Sequence, residues 1–313
     1  MLRYAAQRIL AGIPILLLVS LFIFSLVHLT PGDPALLLAG DNASPAQVDE
    51  IRARLNLDQP LWRQFALWFG DAIRLDLGNS IYSGKPVTEL IGQRVEPTLV
   101  LSTVTLILTV LIAVPLGAVS AWRANTIVDR LAMGFAVIGF SVPVFAIAYV
   151  LVYLFAVRWG VFPVQGYKPL DEGMLATLHS VTLPSVSLAL VFAALIARVT
   201  RASVLDALNE NYIRTAHAKG LGAPRILFWH ALKSVGVPVV TVIGIGFATL
   251  IGGVVVTESV FNIPGIGRLT VDAITRRDYP VIQGSILFFS AMLILINLVV
   301  DLSYAAIDPR VRG

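Results

Sequence analysis

The residues of this chain that could support catalysis or metal binding do not occur at the spacings that such chemistry needs. The sequence has no G-x-S-x-G motif for a serine nucleophile. It has no cysteine either, which excludes disulfides, thiolate zinc sites, iron–sulfur clusters and a cysteine nucleophile. No H-E-x-x-H zinc spacing occurs among the histidines, which are His28, His179, His217 and His230. We therefore predict no catalytic and no metal-binding residues in this chain.

Two glycine-containing segments partly match nucleotide-binding loops, and both lack essential positions. Before Gly84-Lys85, Asn79 stands where a phosphate loop has its first glycine, and Pro86 replaces the Ser or Thr that follows the lysine. Gly265-Ile266-Gly267 lacks the third glycine of a dinucleotide loop, where Thr270 stands. We expect no cofactor in this chain, so any ATP that the protein uses must be bound and hydrolysed by another polypeptide.

The elements that carry these residues are dominated by apolar stretches. Of the 313 residues, 57% are hydrophobic and 13% are charged, against roughly 25% charged in a soluble domain. Six windows of 22 to 27 residues contain no Asp, Glu, Lys or Arg, and about 20 apolar residues suffice for a membrane-spanning helix. This pattern excludes a soluble domain, a disordered chain and an outer-membrane barrel, and it predicts an all-α membrane protein with six transmembrane helices. The windows are Ile9–Gly32, Pro97–Trp122, Leu131–Val157, Gly173–Ala197, Ser234–Thr257 and Tyr279–Val300.

The distribution of cations predicts the orientation of these helices. Six spans place both termini on one side of the membrane, and the segments on that side carry twelve Lys and Arg residues against five in the short loops opposite. Because positive residues collect in cytoplasmic loops, we predict that both termini are cytoplasmic. The same rule accounts for the net charge of +4, so we expect no nucleic-acid partner.

The sequence divides into three parts. We expect residues 1–29 to form the N-terminus and the first transmembrane helix, residues 30–96 a small helical cap on the outer side of the membrane, and residues 97–313 the transmembrane core. In the cap, Ser44-Pro45-Ala46-Gln47 predicts a capping box, and a second helix is expected to begin near Asp58 and Pro60. The cap either packs on the spans or docks an external partner, and the pattern leaves both open.

The inner loop, which we define as residues 200–233, is too polar to insert into a membrane. It is expected to form two short amphipathic helices broken at residues 220–224, with Gly220 or Gly222 ending the first helix in the left-handed conformation. We expect Tyr212, Ile213 and Ala216 to be exposed. The loop is either a protein-docking element or a surface helix in the headgroup region.

The fifth and neighbouring spans carry residues that shape helix packing. Gly244, Ala248 and Gly252 repeat every fourth position, which favours close helix packing within the bundle or between subunits. Carboxylates are absent from the windows, which argues against an ion-coupled carrier. Prolines within or beside the spans are expected to kink them: Pro115, Pro143, Pro184 and Pro238.

Seven short motifs occur along the chain in a specific order and spacing. They are Pro31-Gly32-Asp33-Pro34, residues 56–62, residues 76–80, residues 211–220, residues 258–269, residues 277–284 and Asp308-Pro309-Arg310. Taken together they resemble the permease subunits of dipeptide and oligopeptide ABC importers, a group that includes a glutathione-permease-like branch, and the similarity covers essentially the whole chain. His217 stands where the family often has Arg, and Asn211 where it often has an acidic residue.

The resemblance implies a type I ABC importer permease fold and a non-catalytic subunit of a multi-pass protein in the bacterial inner membrane. The implied partners are a second homologous permease, two ABC ATPases that bind ATP and Mg, and a periplasmic or lipid-anchored substrate-binding protein. The inner loop would then couple to an ATPase, with Arg214 and Lys219 as a charged rim and Gly220 as the turn. The implied coupling residues are Asn211, Tyr212, Ile213, Arg214, Thr215, Ala216, His217, Lys219 and Gly220.

The cargo stays open at this point. We predict the uptake of di- or oligopeptides, and glutathione, a nickel chelate or an oligosaccharide remain alternatives within the same architecture. An intramembrane enzyme is disfavoured because the spans offer no nucleophile with a base and no metal-binding pair. A scaffold or receptor without transport activity is disfavoured because it would have no use for a coupling loop.

Overall fold

The computed structural model describes residues 2–29, 35–36, 44–54 and 57–307. In these ranges all the regular elements are helical, and the β pairing is limited to one isolated bridge between Asn79 and Pro86. The prediction of an all-α protein is confirmed.

The helices follow one another with short connections. The bounds are α1 Leu2–Leu29, α2 Pro45–Arg54, α3 Leu61–Ile73, α4 Val87–Trp122, α5 Ile127–Ser141, α6 Val144–Arg158, α7 Met174–Leu208, α8 Asn211–Ala218, α9 Ala223–Ser234, α10 Gly236–Val260, α11 Ile266–Arg276 and α12 Tyr279–Ile307. The second half of α6, Val152–Arg158, and the middle of α9, Ile226–Ala231, are π-helical.

Four of these helices are individually long and apolar enough to cross a membrane, namely α1, α4, α7 and α12. Two bent pairs, α5 with α6 and α9 with α10, bring the number to six if each pair is one span. The charge-free windows fall on these apolar helices. The third window, Leu131–Val157, is divided between α5 and α6, and the fifth, Ser234–Thr257, lies almost entirely on α10. The bend is 105° between α5 and α6 and 67° between α9 and α10.

Pro143 explains the break between α5 and α6. A proline disfavours the helical conformation of the residue before it, and Val142 is extended with φ −90° and ψ 129°. The helix ends there and restarts at Val144, so Pro143 is a break rather than the expected kink. Pro115 and Pro184, in contrast, lie inside the continuous helices α4 and α7.

The chain divides into two compact units. The larger unit comprises residues 1–8, 95–268 and 293–313, and the smaller unit comprises residues 9–94 and 269–292. In the larger unit α7 is the central helix, since 67% of its most apolar window is buried, against 17–28% for the other continuous spans. One core cluster packs α7 against α6 and α10 around Leu188, Leu250 and Val254.

The smaller unit contains the two predicted cap helices. The capping box forms, because the Ser44 backbone N–H donates to Gln47 Oε1 at 2.9 Å and the Gln47 N–H lies 3.4 Å from Ser44 Oγ. Phe65 of α3 packs against Phe24 of α1 with ring centroids 5.5 Å apart. The motifs at residues 31–34 and 308–310 lie outside the described residues.

Candidate functional site

The inner loop folds as two short helices, and Gly220 makes the turn between them. Gly220 has φ +77°, the left-handed conformation that ends a helix. The Gly220 N–H donates to the His217 carbonyl at 2.9 Å, and the Leu221 N–H donates to the Ala216 carbonyl at 3.2 Å. These two bonds form a Schellman motif. Gly222 has φ −70° and precedes α9 as its N-cap, so the turn belongs to Gly220.

The expected exposure of Tyr212, Ile213 and Ala216 on α8 is wrong for two of these three residues. Ile213 and Ala216 are only 2% and 6% exposed, because they form one apolar stripe three positions apart that points into the protein. They pack in a cluster with residues at the ends of α4, α7, α9 and α10. Helix α8 is therefore held against these four helices by its buried residues. Because those residues contact the rest of this chain, they are not available to contact a partner. The cluster comprises Ala118, Ala121, Val204, Ala207, Ile213, Ala216, Ile226, Leu227, Ala231, Val235 and Val239.

The outward face of α8 is polar apart from the phenol ring of Tyr212. Tyr212 is 41% exposed, and its hydroxyl lies 2.6 Å from Ser234 Oγ at the end of α9. The imidazole of His217 stacks on Trp122 at the end of α4, with ring centroids 6.4 Å apart. The remaining predicted coupling residues are also exposed on this face or at its end: Asn211, Arg214, Thr215, Lys219 and Gly220.

A buried ion pair, which sequence reasoning missed, lies in the same unit as the inner loop. Arg201 of α7 donates to Asp129 of α5 through Nε at 2.6 Å and Nη2 at 2.7 Å. Ser120 of α4 donates to the same carboxylate at 2.5 Å, and the Asn125 N–H donates at 2.9 Å. One carboxylate thus joins the ends of three helices, and bidentate geometry makes the join directional.

A second buried carboxylate, Glu258, explains the motif at residues 258–269. The Thr98 hydroxyl donates to Glu258 Oε1 at 2.6 Å, and the Arg268 N–H in the first turn of α11 donates to Oε2 at 2.9 Å. A negative group there stabilises the helix N-terminus. Gly265 is required for this approach, because a Cβ at that position would lie 2.0 Å from the carboxylate carbon of Glu258.

In the smaller unit, Asp278 joins two further motifs that the sequence places far apart. The Ser80 hydroxyl donates to Asp278 Oδ2 at 2.5 Å, and the Ile81 N–H donates to Oδ1 at 3.1 Å. The Arg276 guanidinium lies 4.1 Å from the ring centre of Tyr82, a cation–π contact. Residues 76–80 and 277–284 therefore build one anchored loop.

The loop between α6 and α7 is held by Glu96 near the start of the second span. The Tyr167 hydroxyl and the Leu170 N–H both donate to Glu96 Oε1 at 2.8 Å. Burial, together with the Glu96 carboxylate, raises the pKa of the Tyr167 hydroxyl above its ordinary value. An open cavity of about 940 Å³ lies in this loop, bordered by Phe162, Tyr167 and His179.

The small residues of the fifth span do not act as one stripe. Gly244 lies against α12, since a Cβ there would be 2.7 Å from Val300 Cγ2, whereas a Cβ at Gly252 would meet nothing within 4 Å. Ala248 between them is half-buried. Packing within the bundle is therefore seen at Gly244, and packing of Gly252 between subunits stays a prediction.

Across the described ranges, no three His, Asp or Glu side chains come together as a possible metal site.

Comparisons with known proteins give the family of the chain. The family profile described as "Binding-protein-dependent transport system inner membrane component" matches residues 113–313, and the profile of its N-terminal part matches residues 1–102. The chain is 49% identical to the probable peptide ABC transporter permease protein y4tP of Sinorhizobium fredii, over 99% of both chains. It is 43% identical to the glutathione transport system permease protein GsiC of Escherichia coli K12, over 100% of this chain and 99% of that one.

A solved structure of the inward-facing MetNI methionine ABC transporter shares the fold. The similarity has a TM-score of 0.57 at 18% identity and covers 70% of this chain and 96% of that one. The type I importer fold expected from the resemblance is thereby confirmed.

Proposed function

The chain belongs to the family of inner membrane components of binding-protein-dependent transport systems, and we propose that it forms half of the pathway through which di- and oligopeptides enter a bacterial cell. It is a permease subunit of an ABC importer and not an enzyme. The observation that carries the choice of cargo is the 49% identity, over 99% of both chains, to a probable peptide permease.

Glutathione is the second candidate cargo. It is supported by the 43% identity to a glutathione permease over nearly the full length of both chains. Glutathione is itself a tripeptide, but its first peptide bond uses the γ-carboxyl of glutamate. A peptide importer and a glutathione importer therefore differ in which glutamyl linkage they accept.

The proposed complex contains a second homologous permease, two ATPases and a periplasmic or lipid-anchored substrate-binding protein. ATP and Mg bind to the ATPases, which agrees with the incomplete loops at Gly84-Lys85 and Gly265-Ile266-Gly267 in this chain. Both termini and the inner loop lie in the cytoplasm, as the positive residues favour. The cap lies on the periplasmic side, where the binding protein would dock.

Coupling in this complex runs through α8. Its outward residues, with Tyr212 at the start and His217 and Lys219 at the end, contact an ATPase, and its inward residues Ile213 and Ala216 belong to the core. Because that core also contains the ends of α4, α7, α9 and α10, a push on α8 moves those helices together. The closing of the ATPase pair would switch the spans between their inward-facing and outward-facing states.

Uptake by cells tests the cargo. The gene is deleted in its host, and the uptake of labelled γ-Glu-Cys-Gly is compared with that of α-linked Glu-Cys-Gly and of dialanine. We expect the deletion to abolish the uptake of the α-linked peptides and the restored gene to return it. Loss of γ-Glu-Cys-Gly uptake alone would assign the glutathione function instead, and unchanged uptake of all three would refute both.

A further inference from the structure

Helix α9 presents an exposed aromatic face directly before the fifth span. Phe228 and Trp229 are 49% and 69% exposed, while Ile226, Leu227 and Ala231 on the other side of the helix are buried in the cluster that holds α8. One side of the helix is thus packed against this chain, and the other side exposes large aromatic side chains. We expect another molecule to cover these exposed side chains.

The position of α9 limits what that occupant is. Only Val235 separates α9 from α10, and the two helices meet at 67°. If α10 crosses the bilayer, a helix at this angle directly before it must lie close to the membrane surface. Tryptophan is enriched at that depth because its ring is apolar and its N–H is polar.

The charge of the surrounding chain points to an anionic surface. From Asn211 to Thr257 the sequence contains no Asp or Glu, while Arg214, Lys219, Arg225 and Lys233 are all cationic. Arg225 and Lys233 are exposed at the two ends of α9 and flank the aromatic pair. Basic residues beside an exposed aromatic face are the composition of a helix that binds anionic lipid.

We propose that α9 binds the anionic phospholipids of the cytoplasmic leaflet. Phe228 and Trp229 enter the acyl boundary, and Arg225 and Lys233 bind the phosphate groups. Because Ile226, Leu227 and Ala231 share a core with Ile213 and Ala216, lipid bound to α9 also holds the coupling helix in place. The inference rests on the cytoplasmic placement of the inner loop in the proposed function, and it does not depend on the identity of the cargo.

Photo-crosslinking in the assembled transporter identifies the occupant. Benzoylphenylalanine is introduced in place of Trp229 in one sample and in place of Tyr212 in another, and the complex is irradiated in membranes. We expect phospholipid adducts at position 229 and ATPase adducts at position 212. An ATPase or permease adduct at position 229 would overturn the proposal. So would the absence of lipid adducts there while position 212 reacts.

Lipid dependence provides a second readout that needs no probe in the helix. The complex is reconstituted in phosphatidylcholine alone and in equal parts of phosphatidylcholine and phosphatidylglycerol. We expect phosphatidylglycerol to raise coupled transport several-fold in the wild type, and the double variant R225Q/K233Q to lose most of this gain. Each removed charge lowers the affinity for an anionic surface about fivefold.

The matched control for that experiment is R158Q/K168Q, which removes one exposed charge at the end of α6 and one in the loop that follows it. It should keep the response to phosphatidylglycerol. An equal loss in both double variants would show a general charge effect and would contradict a lipid site on α9. A failure of peptide transport in the wild type would count against the proposed cargo, while the adduct at position 229 would still report on the lipid site.

Discussion

At the scale of single residues, Gly220 carries the clearest conformational requirement of the inner loop. Its φ is +77°, and a Cβ there would meet nothing within 4 Å. A side chain at position 220 would therefore not clash with its neighbours. Only the left-handed backbone conformation opposes a substitution there. The left-handed conformation costs an ordinary residue about 1–2 kcal/mol, and a β-branched residue tolerates it least.

We expect Gly220→Val to uncouple ATP hydrolysis from uptake, because relief of that strain would break the two bonds that end α8. The measurement is the number of peptides transported per ATP in reconstituted vesicles. Gly220→Asn should retain most of the coupling, since Asn tolerates the left-handed region. Gly222→Val, at φ −70°, is the positional control. Equal losses at positions 220 and 222 would contradict the assignment.

Substitutions at Glu258 and Gly265 should have non-additive effects on the free energy of unfolding. Gly265→Ala alone drives a methyl group into the Glu258 carboxylate, whereas Glu258→Ala alone leaves the Thr98 hydroxyl and the Arg268 N–H without their acceptor. A buried polar group that loses its partner costs roughly 1–3 kcal/mol. In the double variant the added methyl group occupies vacated space, so we expect it to be less destabilised than the two single effects predict.

Thermal unfolding of the purified permease pair measures this double-mutant cycle. Gly252→Ala, where a Cβ meets nothing within 4 Å, is the control for adding a methyl group to a glycine and should change the midpoint little. Strict additivity of the two single variants would show that the carboxylate does not fill the space beside Gly265.

At the scale of elements, the Asp129–Arg201 pair decides how α5 and α7 are joined. The side chains are only 6% and 25% exposed. Removing one partner of a fully buried pair costs about 3–5 kcal/mol, because the other charge remains uncompensated. The partial exposure of Arg201 reduces that cost here. We expect Arg201→Met to destabilise the subunit strongly, and Asp129→Leu with Arg201→Met to recover part of the loss. The midpoint of thermal unfolding checks both expectations. A double variant destabilised by as much as the sum of its two single variants would refute the pairing.

The same elements show how far the sequence predicts this protein. Charge-free windows locate the apolar helices because an unpaired charge is costly in lipid. Each membrane-spanning segment must therefore exclude charges from its own stretch of sequence, where they can be counted. The capping box at Ser44 and the turn at Gly220 are local as well. The contacts of Asp129 with Arg201 and of Glu258 with Thr98 join residues 72 and 160 positions apart, and no local pattern encodes such a distance.

The burial of Ile213 and Ala216 on α8 escapes sequence-based prediction for a related reason. Amphipathic spacing identifies an apolar stripe on a helix. It does not show whether the stripe is buried by the rest of the chain or by a partner protein. Ile213 and Ala216 were expected to meet a partner, and they meet the ends of α4, α7, α9 and α10 instead. Only the polar residues around Tyr212 remain for a partner on that helix.

At the scale of the whole molecule, charge is distributed differently in the spans, in the inner loop and at the buried carboxylates. The spans contain few charges, the inner loop is basic, and the buried carboxylates Asp129, Glu258 and Asp278 each receive hydrogen bonds. Their hydrogen-bonding capacity is used in joining segments of the chain. We propose that a subunit built in this way transmits movement, and that its partners supply the energy and the selectivity.

The crossing of the bent pair α5 and α6 is the feature of the whole molecule that most needs a test. Six spans require this pair to cross the membrane once. With the proposed cytoplasmic termini, Arg123 then lies in the cytoplasm and Arg158 outside. If the 105° bend made a re-entrant loop instead, both residues would lie on the same side. Because the chain has no cysteine, single variants Arg123→Cys and Arg158→Cys can be labelled in intact cells with an impermeant maleimide. We expect Arg158→Cys to react directly and Arg123→Cys only after permeabilisation. Labelling of both before permeabilisation, or of neither, would exclude a single crossing and with it the count of six.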